Sequence, residues 1–217
     1  MLSRYGRREW LIASVIALIA MVSCALFKLW WLAVPVALAW FAFLVFFRDP
    51  PRRPSSSIPE TALLSPADGR VIAVEPVFSH AATDGPAVIV RLYLSLLNMH
   101  VNRMPCAVEV EDRMHSPGEH VDARVERSAF VNENALIIAR RTNEPIVRLG
   151  VRQIAGKVGR RIVCPVQPGD RLSRGERFGM IKFGSSTELI VPRTEGMTIE
   201  VEVGDHVRAG ETVLAIL

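Results

Sequence analysis

One frame occurs twice in the last third of this 217-residue chain. Gly169-Asp170-Arg171-Leu172-Ser173-Arg174-Gly175-Glu176 returns as Gly204-Asp205-His206-Val207-Arg208-Ala209-Gly210-Glu211, and the match runs on to Ile181 and Ile216. The shared pattern is Gly-Asp-x-apolar-x-x-Gly-Glu. Short apolar stretches on either side of a glycine-bearing turn read as strand, turn, strand. Glycine supplies the positive φ that such a turn requires. A duplicated unit of this kind leaves few folds open, because both copies must find the same environment.

The rest of the chain after Ile58 agrees with a mainly β (α+β) domain. Its apolar runs are short, rich in Val and Ile, and bounded by Gly and Pro: Val71 to Val74, Ala87 to Leu94, Val108 to Val110, Ala135 to Ala139 and Ile199 to Val203. Thr198 to Val203 alternates strictly, which is the half-buried strand pattern. Leu149 to Ala155 fits a strand or a short helix equally. The repeat also looks like the halves of biotinyl and lipoyl carrier domains, which are flattened barrels with pseudo-twofold symmetry. The expected fold is therefore a barrel-sandwich β domain. The Gly184–Ser185 bond falls between the two copies, where a connecting segment is expected to be exposed and strained.

Two apolar runs precede this domain. Trp10 to Phe27 and Leu29 to Phe47 are interrupted only by Lys28, and each approaches the roughly 20 residues of a spanning helix. No small-residue cleavage site follows, which argues against a signal peptide. Trp30, Trp31 and Trp40 suit membrane interfaces. Arg4, Arg7 and Arg8 precede the runs, and Arg48, Arg52 and Arg53 follow them. Positive flanks at both ends predict that both ends face the cytoplasm, as a helical hairpin or re-entrant pair would allow. A single long tilted span is the alternative. The expected divisions are a basic N-terminus (1–9), a membrane segment (10–47), a Pro- and Ser-rich linker (48–57) and a catalytic domain (58–217). The three cysteines, Cys24, Cys106 and Cys164, form no ligand-like cluster. Neither a disulfide framework nor a metal site is expected. The net charge of +4 is spread along the chain, without a nucleic-acid recognition motif.

Chemistry enters at Gly184-Ser185-Ser186. A serine hydroxyl can attack the carbonyl before it and convert the amide to an ester. Elimination then leaves a dehydroalanine, which hydrolyses to a pyruvoyl group on a new N-terminus. Taken alone such a triplet is an ordinary turn. Here it follows, in order, Ser65-Pro66-Ala67-Asp68-Gly69, Tyr93-Leu94-Ser95, His100-Val101-Asn102-Arg103-Met104-Pro105, Ser116-Pro117-Gly118 and Asn132-Glu133-Asn134. This ordered set, spanning roughly residues 48 to 217, strongly resembles the short form of the phosphatidylserine decarboxylases.

The resemblance implies a self-cleaving enzyme cut between Gly184 and Ser185 into chains 1–184 and 185–217. Ser185 becomes the pyruvoyl that forms a Schiff base with phosphatidylserine and accepts the electrons released with carbon dioxide, so neither metal nor pyridoxal phosphate is needed. The product is phosphatidylethanolamine. His100 is implied as the base and proton donor, and Asp68 as the residue that orients it. Longer members carry Asp-Tyr-His-Arg-x-His where this chain has Asn98-Met99-His100-Val101-Asn102-Arg103. The second histidine is replaced by Arg103, which stays charged and suits a phosphate or carboxylate. Ser186 is a candidate for the oxyanion or for a turn cap, and Asn132 for substrate contact or packing. The implied partners are a phospholipid in the cell membrane and the enzyme's own second chain, with the oligomeric state left open. Alternatives are a decarboxylase of another serine phospholipid, such as an ether-linked one, a membrane adaptor of the carrier type, and a serine hydrolase. The adaptor lacks its exposed lysine in a Met-Lys-like context, since Lys182 is followed by Phe183-Gly184-Ser185. The hydrolase lacks a G-x-S-x-G elbow.

Overall fold

The computed structural model describes residues 1–157, 161–182 and 185–217. It divides into two compact units, Met1–Pro51 and Arg52–Leu217. In the first, helix α1 (Arg7–Leu26) and helix α2 (Trp30–Phe46) form a hairpin. Lys28, at φ 58, reverses the chain between them. Trp40 Nε1 donates to Ser14 Oγ across the pair at 3.1 Å. The two ends meet, with Ser3 N–H on the Phe47 carbonyl and Asp49 N–H on that of Met1, both at 2.8 Å. The apolar segment is thus two helices rather than one continuous helix. The 20 residues of α1 cover about 30 Å, the thickness of a bilayer's hydrocarbon core.

The second unit is built almost entirely of strands: β1 (Ala62–Leu64), β2 (Gly69–His80), β3 (Gly85–Leu94), β4 (Val101–Arg103), β5 (Val108–Ser116), β6 (Asn134–Arg141) and β7 (Arg148–Ala155). After these come β8 (Arg161–Val163), β9 (Arg171–Leu172), β10 (Arg177–Lys182), β11 (Ser185–Pro192), β12 (Thr198–Ile199), β13 (His206–Val207) and β14 (Val213–Ile216). One turn of helix, α3 (Ser128–Val131), precedes β6. The ambiguous stretch near Leu149 is strand β7. An antiparallel sheet in the order β13-β2-β3-β11-β7-β6-β5-β9 curls into a half-barrel, and two three-stranded sheets, β1-β14-β12 and β4-β10-β8, complete the fold. Leu63, Val90, Leu92, Ile137, Val151, Phe178, Leu189 and Leu214 fill the principal core. A smaller cluster, including Ala82, Ile89 and Ile190, covers the other face of the large sheet.

The repeat is visible bond by bond. Asp205 O accepts from Val71 N–H at 2.9 Å while Gly204 N–H donates to Val71 O at 2.8 Å; Asp170, Gly169 and Val110 repeat the pair at the same lengths. Leu64 N–H donates to Pro105 O at 3.0 Å, and Arg103 N–H returns the bond to Pro66 O at 2.9 Å. The turn glycines Gly175 and Gly210 share a left-handed backbone, φ 76 and φ 72. The second turn holds one extra residue. Met104 N–H bonds Glu176 O, but its counterpart Ser65 N–H bonds Thr212 O rather than Glu211 O, both at 2.8 Å. Phe178 therefore corresponds to Leu214, not to Val213 as the bare sequence alignment suggests. Both are core residues.

Candidate active site

Ser185 opens strand β11, paired with Leu94 at the end of β3 and with Ala155 at the end of β7. It is completely buried. This corrects the expectation of an exposed connecting segment. The residue between the two repeats heads the middle strand of the large sheet, because its partners come from segments remote in sequence. Gly184, the other half of the expected cleavage site, lies outside the described residues. Ser185 Oγ has no hydrogen-bond partner among the described residues. A buried hydroxyl left in that state is costly, on the order of 1–3 kcal/mol, and marks a place where chemistry or a ligand is accommodated.

Alternation along β11 sorts the neighbours. Ser185, Thr187 and Leu189 face the principal core, and Ser186, Glu188 and Ile190 face the other side. Ser186 therefore points to the opposite face from Ser185, and its Oγ too is buried with no partner among the described residues. On its face Glu188, fully buried, is gripped by Arg91 Nε and Arg152 Nε, each at 2.7 Å. His80 belongs to the same neighbourhood. Its Nδ1 accepts from Ala82 N–H at 3.0 Å, and burial, followed by the charge of Arg152, holds its pKa below the ordinary 6.5.

His100 is buried and held by its own loop. Asn98 Oδ1 closes a tight turn by accepting from Ser95 N–H at 2.8 Å and from Ser95 Oγ at 2.6 Å. The Asn98 carbonyl then lies 2.9 Å from His100 Nδ1. A carbonyl can only accept, so in the neutral ring the proton sits on Nδ1 and Nε2 keeps its lone pair. The His100 carbonyl accepts from Ile181 N–H at 3.2 Å, which fastens the loop to the strand that leads toward Ser185.

Asp68 does not meet His100. Its oxygens receive Arg52 Nη1 and Nη2 at 2.6 and 2.7 Å, and Oδ1 also accepts from Ala209 N–H at 2.8 Å. A bidentate arginine and a backbone amide occupy the carboxylate. The backbone carbonyl of Asn98 orients the histidine instead. Arg103 is also committed inside the fold: it is buried, donates to the Gly175 carbonyl at 3.1 Å and packs beside Gly210. Asn132 is saturated. Its amide donates to the carbonyls of Ala155 and Val121 at 2.7 and 2.8 Å and accepts from Val121 N–H at 2.9 Å. It clamps the 119–133 segment to the end of β7, directly beside Ser185. Lys182 is buried in β10, unlike the exposed lysine of a carrier domain. Burial pushes the Cys106 thiol up to about 12, which makes it a poor nucleophile.

One polar group on the Ser185 face escaped sequence reasoning. Asn102 Nδ2 donates to Thr187 Oγ1 at 3.1 Å and reaches the Pro66 carbonyl at 3.4 Å. That orientation turns Asn102 Oδ1 toward Gln153 Nε2, 2.7 Å away. Gln153 Oε1 is left buried with no partner among the described residues. Gln153 lies opposite Thr187 and diagonal to Ser185. In the sequence it is an ordinary residue within an apolar strand; only its full burial sets it apart.

A family model described as phosphatidylserine decarboxylase matches residues 40–215. The chain is 39% identical over 189 residues to a protein named phosphatidylserine decarboxylase proenzyme from Nitrosomonas eutropha, covering 86% of this chain and 83% of that one. It is 39% identical over 217 residues to the proenzyme of that name from Rhodopirellula baltica, with 98% and 86% covered. The corresponding protein of Nitratidesulfovibrio vulgaris is 39% identical over 208 residues, covering 95% and 92%.

Proposed function

The chain belongs to the phosphatidylserine decarboxylase family, and from that premise we propose that it is made as a proenzyme, cuts itself between Gly184 and Ser185, and converts phosphatidylserine to phosphatidylethanolamine and carbon dioxide at a membrane. The observation that carries this reading is the buried, unpartnered Ser185 Oγ at the head of the central strand. In the precursor that oxygen attacks the Gly184 carbonyl carbon, the C–N bond breaks, and an ester replaces the amide. Removal of the α-proton expels the Gly184 carboxylate and leaves a dehydroalanine. Water then releases ammonia and leaves a pyruvoyl group on residue 185. Ser185 Oγ departs in the Gly184 carboxylate and the keto oxygen comes from water; because Oγ has no partner among the described residues, its departure strands no hydrogen bond. Bound there, the group supplies an electron sink conjugated to the bond that loses carbon dioxide.

The chain's own residues do the rest. His100, with Nδ1–H given to Asn98, presents Nε2 as the base that takes the serine proton. The unpartnered Gln153 carbonyl offers an acceptor to the substrate's ammonium. Asp68 and Arg103 bond to the two repeat turns, Asp68 through Ala209 N–H and Arg103 through the Gly175 carbonyl. The α1–α2 hairpin anchors the protein where its substrate is held, and its positive flanks orient the catalytic unit to the cytoplasm. The mature enzyme is a pair of its own chains, 1–184 and 185–217.

Intact-mass measurement of wild type beside Ser185→Ala tests this. Two wild-type chains, the smaller with a blocked N-terminus, and an uncut variant are expected. Release of carbon dioxide from carboxyl-labelled phosphatidylserine in vesicles should accompany the cut. A wild-type chain that decarboxylates while remaining whole would overturn the pyruvoyl mechanism.

A further inference from the structure

Two segments with exposed apolar side chains flank the end of the sheet where Ser185 is buried. The Ser95–Asn98 turn, which carries His100, leaves Leu96 51% and Leu97 82% exposed. The segment clamped by Asn132 leaves Val125 49% and Phe130 75% exposed. The first follows directly from Leu94, the partner of Ser185 in β3. The second is tied to Ala155, its partner in β7, through the Asn132 amide and through Ala155 N–H on the Glu133 carbonyl at 2.9 Å. The neighbouring ends of β3, β11, β7 and β6 span three strand spacings, about 14 Å. The second segment also lies near these strand ends: Arg124 is within electrostatic reach of Tyr93 in β3, and Asp122 of Lys157 just beyond β7. The other large apolar side chains exposed among the described residues of this unit, Phe78, Met114, Ile146 and Val203, lie on different elements, and singly exposed apolar residues are normal on a protein surface.

We propose that Leu96, Leu97, Val125 and Phe130 form a rim that inserts into the interfacial layer of the bilayer, so that a lipid reaches residue 185 without crossing water. This rests on the lipid substrate of the proposed function. The membrane is the favoured occupant because the exposed apolar side chains flank the end of the sheet that holds Ser185, and the proposed substrate lives in that phase. Both arginines of the second segment are paired within it, Arg124 with Asp122 at 2.6 Å and Arg127 with Glu119 at 3.0 Å, and Glu126 adds a further negative charge, so no cation there is left over for lipid phosphates. Insertion is therefore driven by apolar burial rather than by anionic headgroups and should resist salt. The hairpin holds the protein at the membrane; the rim sets how the catalytic unit meets it.

The test uses the full chain in phosphatidylcholine vesicles containing phosphatidylserine. The double variants Leu96→Ser/Leu97→Ser and Val125→Ser/Phe130→Ser should cut themselves at the wild-type rate. Turnover of the vesicle lipid should fall by about tenfold or more, as expected when two apolar side chains lose their burial. Turnover of dihexanoyl phosphatidylserine, dissolved as monomers, should stay at the wild-type level. Equal losses on both substrates, or no loss on either, would overturn the proposal. A spin label at Leu97→Cys decides independently of catalysis. Relaxation by oxygen but not by a polar nickel chelate places the rim in lipid; relaxation by both places it in water, and by neither, against protein. The last two outcomes overturn the rim even if decarboxylation is confirmed. If the wild type decarboxylates neither lipid, the function fails, and an immersed label still supports the rim.

Discussion

The two copies of the duplicated unit share a backbone and part company in their side chains. Leu217 N–H bonds Thr61 O, and Ile181 N–H bonds His100 O, each at 3.2 Å, so His100 stands where the other copy has threonine. By the same correspondence Asp68 stands opposite Ala107, and Arg103 opposite Leu64. After the first copy the chain runs on into Ser185 and the central strand; after the second it reaches Leu217. The symmetrical part supplies the scaffold. The candidate chemistry sits at positions that have no chemical counterpart in the other copy.

Transplanting residues between copies breaks this comparison. His100→Thr, the residue of the other half, should slow self-cleavage by about a hundredfold or more, with the circular-dichroism spectrum unchanged. Cleavage at the wild-type rate in that variant would remove His100 from the chemistry. Asp68→Ala, again borrowed from the opposite copy, leaves Arg52 without its bidentate partner and should cost about 2–4 kcal/mol in urea unfolding. Its cleavage rate, measured where it is folded, should keep the wild-type pH dependence; a shifted profile would mean that Asp68 reaches His100 after all. Gly175→Ala and Gly210→Ala sharpen the symmetry, since each forces a side chain into a left-handed backbone at about 1–2 kcal/mol. Similar losses are expected, since a Cβ would lie 3.3 Å from Pro54 Cγ at Gly175 and 3.2 Å from Arg103 Cδ at Gly210.

The smallest effect concerns His80, on a face the repeat does not duplicate. Its folded pKa lies below 6.5, so the unfolded chain takes up the proton first as pH falls. Stability should therefore decrease below pH 6.5, by under about 1 kcal/mol, because protonating Nδ1 also breaks its bond from Ala82 N–H. His80→Asn should flatten the melting temperature between about pH 7.5 and 5.5. An unchanged slope would assign the acid sensitivity to other groups.

The readable parts of the fold were those fixed by local stereochemistry. Glycines at the turns declared the repeat because only they adopt its positive φ without strain, and the arginines on both flanks of the apolar runs pointed to the hairpin. The site was less legible. Asp68 invited pairing with a histidine, yet its partners are Arg52, from the expected linker, and the backbone of Ala209, 141 residues away. No local pattern records either contact. Ser185 read as part of a connection because its strand partners, Leu94 and Ala155, are set by topology rather than by neighbours in sequence. The extra residue before Thr212 was hidden because a short repeat aligns as well without it.

The position of Ser185 at the head of β11 gives maturation a direction. A cut there leaves β11, β12, β13 and β14 on a separate polypeptide, with β11 hydrogen-bonded on both sides into the sheet of the larger piece. The precursor folds as one molecule, whatever its dilution. Once severed, unfolding yields two molecules, and recovery depends on their meeting again. If the proposed cut is made, the intact bond serves as a folding template that is used once: the severed pair would inherit a shape it has little means of rebuilding, and its lifetime would be set by how slowly that sheet opens.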